Sequence, residues 1–474
     1  MEEGSETTDK WRYVVALGKF FVHLIFPGMT KALSVLVPAM VFQLQVDYTT
    51  VGFLVPMQYG VLYVACPLSN YLATKFGHRC VSSIGGFLSG VSMMGAFFSQ
   101  SAMTIGISFF FTGLFSSPLR QSSTVMLREH FGEKYGVAIT FTQMGGLLGG
   151  VILPYVTALC LDAYGMRGAM LCLSGIFFYH AAIGATFRAP RSPTVRNNTR
   201  HVGGEEDIEG STLLQGQEDE IYLRENNLRH DDESISTYDN SRDECWIPKD
   251  GEAQKSNPTR NLMVEFLTWI LPMDFMREER IFIFLFIPCY ILDDISFAIW
   301  IIFSPSYGVS VGLDEKEAVY LPIVGSLGGF VGRLVLIGIL YKHPHLTPHA
   351  FSVNAAVSSI AMLAHPLSSS LVHLLICSFF AGFGFYGLVS SFYATLPLRL
   401  KNDNFPIASS IIFLTSGVIL LLSGTLAGLF YEHFGSFKTV FIAMGVFSMI
   451  SCVVFSSYLF VDAMLKRRPS TEIG

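Results

Sequence analysis

Seven ionisable side chains stand inside long apolar stretches of this chain: Lys19, His23, Lys31, Arg120, Asp293, Asp294 and Arg333. A charge near the centre of a bilayer costs at least ~2.5 kcal/mol, so a residue kept there marks an ion or substrate path by default. The chemistry these types offer is anion recognition and proton transfer. The ammonium of Lys31 can pair with a carboxylate or hand on a proton. The guanidinium of Arg333 can hold a planar carboxylate through two parallel hydrogen bonds. Asp293 and Asp294 are carboxylates able to carry a proton. As neighbours on a helix they point about 100° apart, so both cannot face one cavity equally.

Each of these has a plainer alternative. Lys31 can run its stem to the nearer interface. Arg333 can tie two helices together, and the aspartates can be helix-interface groups satisfied by Tyr or Ser neighbours. Arg120 is a candidate second anion anchor, or a bridge to another span. Lys19 and His23 share a helix face by their four-residue spacing; Lys19 is expected to snorkel and His23 to be a hydrogen-bonded packing residue. No nucleophile–base pair, metal-ligand spacing or nucleotide-binding motif stands out, so neither enzyme activity nor a cofactor is expected. The eight cysteines are scattered without C-x-x-C spacing and read as small apolar residues rather than a zinc or disulfide framework.

What must position these groups is a membrane-embedded helical frame. Only 14% of the 474 residues are charged and 51% are apolar, whereas soluble domains carry about 25% charge. Hydropathy predicts an all-α polytopic membrane protein with twelve transmembrane helices, at about 13–40, 50–73, 80–99, 103–127, 136–161, 167–187, 281–304, 319–341, 350–368, 370–396, 406–429 and 438–461. Residues 1–10 are polar and acidic, and the first apolar run is long enough to span, so no cleaved leader is expected. Lys75, Arg79, Arg128, Lys134, Lys342, Arg399, Lys401, Lys466, Arg467 and Arg468 fall on one side, against Arg167, Lys316 and Lys438 on the other. That bias predicts cytoplasmic termini.

The formal charge of −6 is unevenly spread. Residues 201–254 hold sixteen Asp/Glu against four Lys/Arg, a formal −12, leaving +6 on the remainder. The positive charges sit in short loops between spans, which is no nucleic-acid signature. The predicted division is a six-helix bundle over 1–190, a disordered acidic cytoplasmic linker over 191–279, and a second six-helix bundle with a cytoplasmic tail over 280–474. On that side of the membrane the Asn197-Asn198-Thr199 sequon would not be glycosylated. Two runs of six spans joined by a long inner loop is the layout of a transporter built from two similar halves.

Lys75-Phe76-Gly77-His78-Arg79 resembles the short loop signature of major facilitator proteins. More narrowly, Lys31-Ala32-Leu33-Ser34-Val35, continuing through Pro67 to Arg79, resembles the monocarboxylate transporter family. His130-Phe131 through Ala138 and Gly145, Gly165-Met166-Arg167-Gly168, Phe405 through Ala408, and Gly428 through Gly435 to Lys438 do likewise. The resemblance implies the major facilitator fold, with Lys31 as substrate and proton lysine and Arg333 as a substrate arginine. It also raises the single-span ancillary glycoprotein that some relatives need. Departures are equally specific. Only Trp11 and Tyr13 remain of the family's opening motif, the basic cluster is thinned to Lys134, and Ser423-Gly424-Thr425 stands where G-P-P is usual. Gly329 occupies the place, four residues before Arg333, where the family has an aspartate, which breaks its aspartate–arginine pair.

The sequence therefore leads us to expect a secondary transporter of small organic monocarboxylates, with Lys31 and Arg333 binding substrate. Asp293 and Asp294 are candidates for proton coupling and Arg120 for a second anchor. The expected setting is the plasma membrane. The alternatives are a ligand sensor that does not transport, or a facilitative carrier of another small organic solute. Protons, a small organic acid and the bilayer are the expected partners; nucleic acid is not.

Overall fold

The computed structural model describes residues 10–46, 48–188, 273–434 and 436–467. The predicted linker lies outside these residues over nearly all its length. Nine stretches among the described residues are long and apolar enough to cross a membrane. One of them, Ala102–Ala185, contains three spans: Ala102–Phe131 and the two arms of Tyr135–Ala185, which part at Gly165. Gly165 has φ 68°, a left-handed conformation that a side chain resists, so a glycine makes this reversal. The second span is broken at Ala65 into Tyr48–Val64 and Cys66–Phe76. With Trp11–Leu44, His78–Phe98, Ile287–Ser310, Tyr320–Lys342, Thr347–Ala364, Leu371–Arg399, Phe405–Phe434 and Phe437–Arg467, the twelve spans are complete.

The seventh span opens with a π-helical turn, Phe282–Phe286, preceded by the short helix Met273–Glu278. That short helix is tied to the loop after the tenth span: Lys401 pairs with Glu278 at 3.0 Å, and the Asn404 amide donates to Glu278 and Glu279. Arg399 pairs with Asp462 at 2.8 Å, joining the tenth and twelfth spans.

Small residues let the helices touch backbone to backbone. A Cβ on Gly149 would overlap the Leu24 carbonyl, and one on Gly145 the Phe20 carbonyl, so the fifth span lies directly on the first. The two halves repeat one device: Gly113 sits on the Gln58 carbonyl between the fourth and second spans, and Gly328 on the Phe379 carbonyl between the eighth and tenth. Lipid offers no hydrophobic drive between helices, so such close approach supplies the packing energy. The outward faces are apolar, with Phe53, Ile84, Phe87, Val151, Tyr155 and Ile360 exposed. That is the surface of a protein dissolved in lipid. Cys66, Cys289 and Cys377 are buried free thiols.

Gly149→Ala is expected to push the first and fifth spans apart at a cost of about 1–3 kcal/mol, the usual range for overpacking. Melting of the detergent-purified protein measures this. Gly175→Ala, where nothing lies within 4 Å of an added Cβ, is the control and should melt like wild type.

Candidate functional site

A cavity of about 250 Å³ lies between the two halves. Spans 1, 2, 4 and 5 wall it on one side and spans 7, 8, 10 and 11 on the other; spans 3, 6, 9 and 12 contribute no lining residue. The first span presents His23, Pro27 and Lys31, four residues apart and therefore on one stripe. The seventh presents Tyr290, Asp294, Phe297, Ala298 and Ile301, again a single face.

Lys31 is exposed, and what it faces is the cavity; its stem runs along Gly150, where an added Cβ would meet Nζ at 3.1 Å. Arg333 is 5% exposed and fully engaged on its inner edge. Its Nε donates to Ser390 Oγ at 3.1 Å and its Nη1 to the Gln143 carbonyl at 2.8 Å, while Ser390 Oγ donates to Gln143 Oε1. Because Gln143 belongs to the fifth span and Ser390 to the tenth, this cluster joins the halves at the cavity wall. The guanidinium also lies over the Tyr386 ring, 5.0 Å from its centroid. Tyr386 fills the space beside Gly329, where a Cβ would overlap the ring. An aromatic face therefore stands where the resemblance would place a carboxylate.

Arg120 is 5% exposed and sandwiched between Tyr63 of the second span and Phe413 of the eleventh, at 5.2 and 4.8 Å from the two centroids. Its Nη2 donates to Tyr63 Oη at 3.0 Å, but Nε and Nη1 are buried without a partner. It is thus a bridge to another span and a cation on the cavity wall, with its unpaired Nε and Nη1 sealed inside the protein. No carboxylate among the described residues lies within ion-pair distance of Lys31, Arg120 or Arg333.

The adjacent aspartates part company. Asp294 lines the cavity beside Ser416. Asp293, fully buried, turns toward the twelfth span, where Ser451 Oγ donates to its Oδ2 and Oδ1 has no partner. The structure thus brings Lys31, Arg333, Arg120 and Asp294 to one cavity and leaves Asp293 outside it.

Lys19 corrects the sequence reading. It does not snorkel: it is fully buried inside the first bundle, donating to Ser123 Oγ at 2.9 Å, Thr124 Oγ1 at 2.6 Å and the Arg120 carbonyl at 3.4 Å. The hydroxyl-rich run Gln121-Ser122-Ser123-Thr124 was the signal that such a cation had partners nearby. His23 Nδ1 donates to the Lys19 carbonyl at 3.1 Å, and its Nε2 is buried without a partner at the cavity wall.

The wall tyrosines of the second and seventh spans were not anticipated, and of the tenth span's aromatics the sequence allows one or two at the cavity without telling which. Tyr59 and Tyr63, one turn apart, share a hydrogen bond at 2.9 Å between their hydroxyls. Tyr290 stacks on Phe392, with centroids 4.4 Å apart, and shares a hydrogen bond with Ser416 at 3.0 Å. In the tenth span Tyr386 and Tyr393, two turns apart, reach the cavity, whereas Phe385 and Phe392 pack inward. Phenol hydroxyls recurring at helical spacing within apolar spans were the available clue.

Comparison with known proteins agrees with this architecture. Residues 20–402 match the family model described as the Major Facilitator Superfamily. The chain is 21% identical over 472 residues to monocarboxylate transporter 2 of Meriones unguiculatus, covering 97% of this chain and 85% of that one. It is 23% identical over 483 residues to monocarboxylate transporter 6 of Homo sapiens, covering 100% and 85%. Among solved structures, the major facilitator proton:xylose symporter XylE bound to 6-bromo-6-deoxy-D-glucose superposes with a TM-score of 0.61 at 12% identity, over 95% of this chain and 96% of that one.

Proposed function

Because the chain belongs to the Major Facilitator Superfamily, we propose that it is a secondary carrier that moves small organic monocarboxylates by alternating access. The observation that carries this reading is the cavity between the halves, where Lys31, Arg120 and Arg333 stand with no carboxylate of the described residues in ion-pair contact. Uncompensated cations in a low-dielectric site are costly, and an entering anion relieves that cost. Lys31 and Arg333 are the proposed carboxylate anchors, one from each half. Anchors on both halves let a bound anion draw them together, and the midplane seam is where two-repeat carriers hold their substrate. The low-identity monocarboxylate transporters support the substrate class.

The proposed setting is the plasma membrane with both termini cytoplasmic. In its support, Lys75, Arg79, Arg128, Lys134, Lys342, Arg399 and Lys401 stand at the helix ends and loops on the side that carries the termini. Residues 191–279 are proposed as a linker between the two bundles, from composition alone.

Proton coupling, where present, is assigned to Asp294 rather than Asp293, since only Asp294 lines the cavity. Uptake of labelled organic acids into proteoliposomes, with and without an inward proton gradient, tests both statements. Wild type is expected to accumulate acid faster as external pH falls. Asp294→Asn should flatten that profile, and Asp293→Asn should keep it. Acid stimulation unchanged in Asp294→Asn would remove this residue from the proton path, and a flat wild-type profile would mark an exchanger or facilitative carrier. Binding without uptake of any acid would indicate a sensor instead.

A further inference from the structure

Lys31 and Arg333 account for one end of a ligand, and much of the remaining cavity wall is aromatic. It carries six rings, those of Tyr59, Tyr63, Tyr290, Phe297, Tyr386 and Tyr393, drawn from both halves. Phe297 has no hydroxyl and is only half-buried, so it presents bare ring surface to the cavity. Between the rings the lining is largely aliphatic, with Leu147 from the first half and Ile301 and Val389 from the second.

These rings are held from behind. Phe297 meets Trp300 and Phe385, with centroids 6.2 and 5.6 Å away, and stands edge-on to Tyr386 at 5.0 Å. Tyr290 is stacked on Phe392, and Tyr393 packs on Phe413 at 5.7 Å. Rings wedged in this way have little side-chain freedom left to lose when a ligand arrives. Tyr386 is also the ring that lies against the Arg333 guanidinium, 5.0 Å from its centroid. Phe297 and the carboxylate anchor therefore share one neighbour, and a short spacer in the ligand reaches from one to the other.

Volume sets the scale. An apolar cavity of about 150 Å³ holds one benzene molecule, and this one measures about 250 Å³. It has room for a single ring with its carboxylate and spacer. A small aliphatic acid such as acetate would fill only the end beside the anchors. Water would then occupy the remainder, against rings and aliphatic side chains that give it few hydrogen bonds. Aromatic rings also pair edge-to-face or offset with a gain beyond burial, so this wall favours a flat aromatic body over a saturated one of equal size.

We infer that the preferred substrate is a monocarboxylate carrying a single aromatic ring on a short spacer, its carboxylate on Lys31 and Arg333 and its ring against Phe297. The inference rests on the carrier reading and deepens it by naming the kind of monocarboxylate the cavity selects. Phe297 is the residue that sets this specificity.

The test uses the purified full-length protein at neutral pH and constant ionic strength, titrated with acetate, phenylacetate and cyclohexylacetate, all monoanions. Melting temperature reads binding. Burial of the ring should make phenylacetate bind at least ~10-fold tighter than acetate. Cyclohexylacetate, matched in size, should bind ~3-fold weaker than phenylacetate because it lacks the ring pairing. Phe297→Leu keeps an apolar side chain and removes the ring, so it should bring the phenylacetate-to-cyclohexylacetate ratio toward one. Equal affinities for phenylacetate and acetate, parity of phenylacetate and cyclohexylacetate in wild type, or a wild-type ratio in Phe297→Leu would each overturn the ring site. The wild-type comparisons stand even where the variant fails to fold. Counterflow in proteoliposomes keeps the two readings apart. Phenylacetate bound selectively and never taken up would sink the carrier and leave the ring site, whereas acetate and phenylacetate taken up with equal affinities would do the reverse.

Discussion

Arg333→Gln is expected to remove most uptake of organic acids while the protein still reaches the membrane. The residue supplies a permanent charge and a donor fork, and its Nη2 faces the cavity with nothing of the protein to serve. Truncating one partner of a buried, hydrogen-bonded charge pair costs about 2–5 kcal/mol, so uptake at subsaturating substrate should fall by ~30-fold or more. Arg333→Lys is the informative companion. It keeps the charge but cannot reach Ser390 and Gln143 while holding a carboxylate in two places. Its expected uptake lies between wild type and the glutamine variant. Wild-type rates in Arg333→Gln, with surface expression matched, would remove this residue from the site.

Gly329→Asp is the second large effect, and its direction runs against the resemblance. Restoring the aspartate that the monocarboxylate family carries here ought to rebuild an ion pair with Arg333. In this chain the added side chain would overlap the Tyr386 ring. Expelling that ring removes the aromatic face from Arg333 and places a carboxylate where substrate is to bind. We expect uptake to fall by at least ~30-fold, the size of a lost charge-assisted contact together with about 1–3 kcal/mol of overpacking strain. The double variant Gly329→Asp, Tyr386→Ala makes room for the carboxylate. It should recover thermal stability without recovering wild-type affinity for acids, because Arg333 is then neutralised from within. Melting and uptake measured side by side separate strain from charge. A single variant as stable as wild type would show that the ring moves aside at little cost.

The fold was legible because bilayer thickness sets a minimum apolar length for every span, and all twelve are runs that hydropathy marks. The short turn at Ser368–Ser370 follows the same logic, with Thr347–Ala364 and Leu371–Arg399 on either side. The ionisable residues were legible as a set, since charge in an apolar span is conspicuous. Their grouping was only partly so. Helical geometry said that Asp293 and Asp294 diverge but not which one meets the cavity, since that depends on how the seventh span is rotated against the twelfth. Lys19 was misread because depth was judged along one helix, whereas its partners Ser123 and Thr124 come from another. The tyrosines were hidden by their abundance. A ring at a cavity wall and a ring in the core are the same residue type until packing separates Tyr386 from Phe385.

The bonds that close the seam between the halves have a kinetic meaning. Gln121 Nε2 donates to the Pro406 carbonyl at 3.0 Å and to Ser409 Oγ at 3.1 Å, and Gln143 meets Ser390. Apart from the Arg333 contact these are neutral amide and hydroxyl pairs, each worth about 1 kcal/mol net. The ion pairs Arg399–Asp462 and Lys401–Glu278 lie wholly within the second half. Charged, salt-sensitive bonds therefore lie within a half, while the bonds that must break for it to move are mostly uncharged. A seam of this kind parts with a low barrier, on the microsecond-to-millisecond scale of domain motions, and screening by dissolved ions leaves its opening rate almost untouched.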